Sequence, residues 1–255
     1  MTTLALEGAA FAHEDRMVFA NLSVGVRPGD RIALLGANGS GKSTLFRLLA
    51  ASWRPTAGRL LLDGERVRYS SAGRNRVRKA VQLVLQEPDE MLFAMTVRAD
   101  VSYGPQNLGL EPEEVARRAE RAMAATEVRD LADRVPHQLS YGQRKRVALA
   151  GALAMEPDVL LLDEPTAGLD PAGTEQLIGT LAATRAAVVL ATHDVNLAYR
   201  VADTAWVFAG GELHTGKANE LLADQELLRE ARLELPWAPV VSQALGRSVR
   251  TAWEV

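Results

Sequence analysis

The chain has 255 residues, room for one large α/β domain or for one domain plus an appendage, and its 47% apolar and 24% charged content fits a folded globular protein rather than a disordered one. Lys and Arg number 29 against 32 Asp and Glu, and a net charge of −3 counts against a general nucleic-acid binder. The lack of cysteine excludes disulfides, thiolate catalysis and zinc–thiolate sites, while no apolar run reaches the roughly 20 residues of a membrane span and Met1-Thr2-Thr3-Leu4 does not open like a signal peptide, so a soluble cytosolic protein is expected.

Leu4-Ala5-Leu6-Glu7 and Leu22–Val26 alternate apolar and polar residues and predict half-exposed antiparallel strands. Arg31–Leu35 reads as a buried strand running into a Gly-rich loop. Lys42–Ala51 places Leu45, Leu48 and Leu49 on one helical face. Residues 59–69 read as a hairpin turning at Asp63-Gly64. The basic residues Arg66, Arg68, Arg74, Arg76, Arg78 and Lys79 fit either a solvated face or a surface near anionic lipid. A helix-rich stretch covers 92–155, and Glu111-Pro112-Glu113-Glu114 opens one of its helices. Strands return at Val159–Leu162, Ala187–Ala191 and Thr204–Phe208, separated by helices, which predicts a mainly parallel sheet covered on both faces. Gly210-Gly211 reads as a hairpin turn, and Leu221–Leu235 as an amphipathic helix stopped by Pro236.

Gly36-Ala37-Asn38-Gly39-Ser40-Gly41-Lys42-Ser43 matches G-x-x-x-x-G-K-[ST] between a predicted strand and a predicted helix. In that setting backbone amides and a helix N-terminus face phosphate oxygens, Lys42 neutralises β- and γ-phosphates, and the Ser43 hydroxyl can ligate Mg²⁺. Val159–Leu162 leads into Asp163-Glu164, whose side chains should diverge if the strand continues. Asp163 then suits Mg²⁺ and Glu164 an attacking water, although two solvated acids at a strand end have the same pattern. His193 follows another predicted strand, where a γ-phosphate contact and a structural role are both open. The Gln86 amide can ligate Mg²⁺ through oxygen, or lie on the surface. Ser140 and Gln143 have capping-box spacing in Leu139-Ser140-Tyr141-Gly142-Gln143, which explains a helix start and also offers a second anion site.

Taken in order, the phosphate loop, Gln86, Leu139–Gln143, Asp163-Glu164, Ala167-Gly168-Leu169-Asp170 and His193 resemble an ABC-transporter ATPase over about residues 4–215. The resemblance implies the P-loop NTPase α/β fold of that family: a mainly parallel core sheet, an N-terminal antiparallel β subdomain and a helical subdomain. It implies a cassette over 1–215 and a C-terminal helical extension over 216–255 associated with dimerisation. It further implies ATP and Mg²⁺ as cofactors and a head-to-tail homodimer. ATP would lie on Gly36, Asn38, Gly39, Ser40, Gly41, Lys42, Ser43 and Thr44 of one subunit, closed over by Ser140, Gly142 and Gln143 of the other. Glu164 is then the catalytic base, His193 the switch residue, and Asp170 the residue communicating across the dimer. Mg²⁺ falls to Ser43, Gln86 and Asp163.

Gln86-Glu87-Pro88-Asp89, Leu92-Phe93, Thr96-Val97, Asp100-Val101, Gly104-Pro105 and Asn107–Leu110 resemble more narrowly the ATPases of energy-coupling-factor importers. Tyr141–Pro171 and Leu227–Pro236 are similar to the cobalt-importer ATPases of the CbiO type. These likenesses imply integral membrane transmembrane and substrate-binding partners, a place on the cytoplasmic face of the membrane, and cobalt as cargo, with nickel or a vitamin such as biotin as alternatives. His13 stands where the family stacks a Tyr on adenine, Tyr141 replaces the first Gly of the usual signature, and Arg98-Ala99 sits where related sequences often carry acids. A soluble ABC ATPase acting on DNA or ribosomes would ordinarily need coiled-coil insertions or two cassettes in one chain. A P-loop kinase would leave Leu139–Gln143 and His193 unexplained.

Overall fold

The computed structural model describes residues 2–14, 16–247, 249, 251 and 254. Its elements run β1 (Leu4–His13), β2 (Arg16–Val26), β3 (Arg31–Leu35), α1 (Lys42–Leu49), β4 (Ala57–Leu62), β5 (Glu65–Arg66), α2 (Ser71–Ala80) and β6 (Val81–Val84). Next come α3 (Val97–Asn107), α4 (Pro112–Ala125), α5 (Tyr141–Ala154), β7 (Val159–Asp163), α6 (Pro171–Ala183), β8 (Ala187–Ala191) and α7 (Val195–Val201). The chain closes with β9 (Thr204–Ala209), β10 (Glu212–Lys217), α8 (Ala218–Leu221), α9 (Gln225–Glu230) and α10 (Trp237–Leu245).

The strands form an antiparallel four-stranded sheet, β2-β1-β4-β5, and a six-stranded sheet, β10-β9-β3-β8-β7-β6. The second sheet is parallel except at its β9–β10 edge, where Gly210 and Gly211 both take positive φ in the expected two-residue hairpin. Both predicted N-terminal strands pair antiparallel, and α3, α4 and α5 fill the predicted helical stretch.

The period of two along the core strands decides what each face of the large sheet touches. Ile32, Leu34, Leu161 and Val189 point toward α1 and the antiparallel sheet, joining Phe46, Leu48 and Leu60 in one core. Leu160, Leu162, Val188 and Leu190 point the other way, into the helical stretch with Met123, Val147 and Leu149. Ala33, Leu35, Ala205 and Val207 share that second face but meet a different cover: Ala198 and Tyr199 of α7, then Leu222, Leu227, Leu228 and Ala231. The segment from Ala218 to Ala238 is therefore packed onto this chain's own core sheet.

A single helix over Leu221–Leu235 does not form. The Asp224 carboxylate accepts the amides of Glu226 and Leu227 and starts a new helix, which ends before Arg232 at φ 56. Apolar spacing runs through this break because α8 and α9 both bury residues against one sheet face, and that spacing records burial rather than helix continuity. Residues 71–80 form α2, capped by Ser70, where the basic run alone announced no helix.

If residues 222–231 belong to the core, Leu222→Ala should cost about 2–5 kcal/mol of unfolding free energy in urea denaturation. Val240→Ala, at an exposed position, should stay within about 0.5 kcal/mol. Equal, small effects from both substitutions would contradict this packing.

Candidate functional site

Parallel pairing fixes where the chemistry lies. Leu34 pairs with Ala191, Asp163 with Ala191, and Val84 with Leu162, so the carboxyl ends of β3, β8, β7 and β6 share one edge. The residues that leave those ends are the Gly36–Ser43 loop, Thr192-His193, Glu164 and Leu85-Gln86. Ligands in open α/β sheets bind at such an edge.

Gly41 is the N-cap of α1 at φ 107, and a Cβ there would lie 2.9 Å from Val18 Cγ1. Only glycine fits, and with no side chain capping this helix its first amides are presented to a ligand. Lys42 is buried, its Nζ donating to the carbonyls of Gly36 at 2.7 Å and Ala37 at 3.2 Å. Burial draws its ammonium below the ordinary lysine value, and the charges of Glu164 and Asp163 oppose that shift. The Ser40 hydroxyl oxygen is buried in the same loop without a hydrogen-bond partner.

Asp163 and Glu164 do not diverge. The strand ends at Asp163, and Glu164 takes a left-handed φ of 44, so alternation stops and both buried carboxylates line the same cavity. Burial raises the Asp163 carboxyl above its usual range, a hydrogen bond from Ser43 opposes the rise, and the neighbouring Glu164 adds to it. The Glu164 amide donates to the Ala191 carbonyl at 2.9 Å. Its carboxylate oxygens lie 3.0 and 3.1 Å from His193 Nδ1, so the exposed imidazole of the loop after β8 sits directly on this acid.

The cavity has a volume of about 510 Å³ and gathers His13, Asn38, Gly39, Gly41, Lys42, Ser43, Thr44, Gln86, Asp163 and Glu164. Gly36 and Ser40 back the loop, through the Lys42 contact and the buried hydroxyl. His13 is held edge-on by Phe11 at 5.1 Å and Trp53 at 4.9 Å. Arg16, Met17 and Val18 of β2 also line it; sequence reasoning missed them because only the β1–β2 pairing brings them there. Ser140, Gly142, Gln143 and Asp170 lie elsewhere, around a second cavity of about 600 Å³ beside Pro165, Gly168 and Leu169. The capping box is formed: the Gln143 amide donates to Ser140 Oγ, and the Ser140 amide to Gln143 Oε1. Sequence reasoning also missed Lys145, which lies in a basic triplet that looks solvated but is buried, with Nζ 2.8 Å from the Glu164 carbonyl.

These residues fit a nucleotide triphosphate with Mg²⁺. An uncapped helix N-terminus, a buried ammonium and an orphaned hydroxyl suit phosphate oxygens. One carboxylate, a hydroxyl and an amide oxygen, from Asp163, Ser43 and Gln86, form the sparse hard-oxygen set that Mg²⁺ takes when phosphates complete its shell. Among the described residues no group of three or more His, Cys, Asp or Glu is placed to cage a metal by itself.

The family model for ABC transporters matches residues 19–167, more than half of the chain. The chain belongs to the ABC transporter family. As an ABC-transporter ATP-binding chain it is an ATPase, and it carries the ABC ATPase fold. Over 250 residues it is 47% identical to the cobalt import ATP-binding protein CbiO of Rhodobacter capsulatus, covering 96% of this chain and 86% of the relative. It is 44% identical to the energy-coupling factor transporter ATP-binding protein EcfA of Methanocaldococcus jannaschii, over 86% of this chain and 80% of that one. Among solved structures it matches cbiO1 of Clostridium perfringens, part of the ABC transporter complex cbiONQ, with TM-score 0.78, 35% identity and 94% and 98% of the two chains covered.

Lys42→Met should weaken binding of ATP with Mg²⁺ by about 10- to 100-fold in isothermal calorimetry, the loss expected for a charge-assisted contact. Undiminished affinity would mean that the loop does not hold phosphate.

Proposed function

We propose that this ABC ATPase works as a head-to-tail homodimer on the cytoplasmic face of the membrane, driving an energy-coupling-factor importer whose cargo is a transition-metal ion, cobalt. The observation that carries the catalytic part is the meeting of the phosphate loop, Asp163, Glu164 and His193 at one sheet edge. In this reading the Gly36–Thr44 loop grips the triphosphate, with His13 against adenine. Asp163, Ser43 and Gln86 hold Mg²⁺, which supplies charge neutralisation at the phosphates. Glu164 takes a proton from the water that attacks the γ-phosphorus, and His193 orients that carboxylate.

The dimer is supported by a division of labour within one chain. Ser140, Gly142 and Gln143 sit at a helix N-terminus closed by its own capping box, and they line a different cavity from the phosphate loop. A second copy turned head to tail brings them over its partner's nucleotide. Asp170, N-cap of α6 through a 2.7 Å bond from the Gly173 amide, lines the same cavity and faces the same junction. The cassette is assigned to 1–215, with its helical part over 92–155. The 216–255 extension contributes to the dimer through α10, whose Val240 and Leu245 are exposed.

Docking to transmembrane and substrate-binding subunits is supported by an apolar edge. Phe93, Met95 and Tyr103 are exposed, and the first and last border a groove of about 730 Å³ that α2, α3 and α5 share. Buried Asp100 accepts the amides of Phe93 and Ala94, so these side chains are offered on a fixed loop rather than a loose one. No helix among the described residues is long and apolar enough to cross a membrane, consistent with a pore supplied by other chains. Cobalt rests on likeness to a cobalt import relative. No residue of a motor touches its cargo.

Glu164→Gln should retain ATP binding, lower turnover by about 10²–10⁴-fold and accumulate as a dimer with ATP and Mg²⁺ in size-exclusion chromatography. Hydrolysis at the wild-type rate would refute Glu164 as the base. Phe93→Asp should abolish recovery of integral membrane subunits in a pull-down while leaving the ATPase activity of the isolated protein intact. Cobalt uptake that is unchanged in cells lacking this protein would remove cobalt as cargo.

A further inference from the structure

Arg144, Lys145 and Arg146 follow one another in α5; Arg144 and Lys145 both lie over the Tyr141 ring, at 5.8 and 5.4 Å, but the three make different hydrogen bonds. Arg144 Nη1 donates to the Leu139 carbonyl at 2.6 Å, and Arg146 Nη1 to Gln176 Oε1 at 3.0 Å. Lys145 alone of the three is buried, and its Nζ donates to the Glu164 carbonyl at 2.8 Å. Burial holds its ammonium down at about 8, with Glu87, Glu164 and Asp163 opposing the shift. A cation taken out of water in this way needs strong partners.

Those partners surround one residue. Glu164 is a non-glycine at positive φ, a state that persists only where neighbours hold it. Its amide is bonded to Ala191, and its carbonyl accepts both Lys145 Nζ and the Ala167 amide, the latter at 3.2 Å. One turn before Lys145, the Tyr141 ring lies 5.4 Å from the same ammonium. Tyr141 Oη is 3.3 Å from the Gln86 carbonyl and 3.4 Å from Glu87 Oε1. The ring edge also lies close to Gly168, at φ 74, where a Cβ would sit 2.7 Å from Tyr141 Cε1. Tyr141 and Lys145 thus join the start of α5 to the Gln86 loop, to the Gly168 turn and to the backbone of Glu164.

We propose that Lys145, braced by the Tyr141 ring, is the positioning residue for Glu164, so that the placement of the first turn of α5 sets the placement of the catalytic carboxylate. The inference rests on the reading of Glu164 as base. In the proposed head-to-tail dimer, on which this step also rests, Ser140 caps and Gly142 occupies that first turn, so contact with the partner's nucleotide is passed through Lys145 to the acid of this chain's own site.

The test is steady-state ATPase kinetics of the full-length chain with Mg²⁺, alongside nucleotide binding and a thermal melt. Lys145→Met should lower kcat by about 10²-fold, the scale of an approximately 1 Å misplacement of a reacting group, with KM and ATP affinity unchanged. Should Lys145→Met fail to fold, Lys145→Gln, which keeps a polar donor group but not the charge, takes its place with the same expectation. Tyr141→Phe keeps the ring and should retain most of the turnover, whereas Tyr141→Ala should lose it as Lys145→Met does. The double variant Tyr141→Ala/Lys145→Met should lose little more than either alone, because the two act as a unit. An unchanged kcat, a parallel fall in kcat and ATP affinity, or additive losses would each overturn the proposal. Glu164→Gln in the same assay separates the two ideas: its inactivity beside a fully active Lys145→Met removes this inference alone, while an active Glu164→Gln removes the base assignment beneath it.

Discussion

Alignment of the carboxyl ends of β3, β6, β7 and β8 is the constraint on which the rest of this molecule depends. Those ends come from segments as far apart as residues 35 and 191, and no local interaction would bring them together. The parallel ladder does so because β3, β7 and β8 are buried on both faces and have one register that satisfies both covers, and β6 pairs in register with β7 at the edge. One register error would move Asp163 away from Ser43 and separate Glu164 from His193.

Bringing buried charges together is costly, and the structure offsets that cost by giving each one a specific partner. Lys42 rests on the carbonyls of its own loop. Asp163 receives Ser43. Lys145 donates to the Glu164 carbonyl, and the Glu164 carboxylate meets His193. The same low-dielectric setting strengthens any interaction with a bound phosphate. A bound triphosphate thus gains from Lys42 but meets repulsion from Asp163 and Glu164, which a cation between them would offset.

The positions where the resemblance implies a departure from the family pattern have physical accommodations. Tyr141 in place of a glycine is tolerated because it occupies an ordinary helical position and because Gly168 yields room for its ring. His13 is fixed by Phe11 and Trp53 instead of standing free at the end of its strand. Arg98, where acids are common, is turned toward Glu120 and Asp133 of its own chain.

By itself the sequence determined most of the core strands, the helix-rich middle, the phosphate loop, the paired acids and the capping box. Each of these is written in short-range spacing: apolar alternation for strands, glycine and lysine at fixed offsets, Ser140 three residues before Gln143. Tertiary structure alone decided the rest. Convergence of Asp163 and Glu164 hung on a left-handed φ that strand alternation does not foresee. The break at Asp224 was invisible because two short helices on one sheet face bury residues in the same rhythm as one longer helix. Lys145 looked like its basic neighbours until the fold laid α5 across the turn after β7. Spacing in the chain records which faces are buried, whereas the identity of what buries them, and so which cation meets which carbonyl, is set only when distant segments pack.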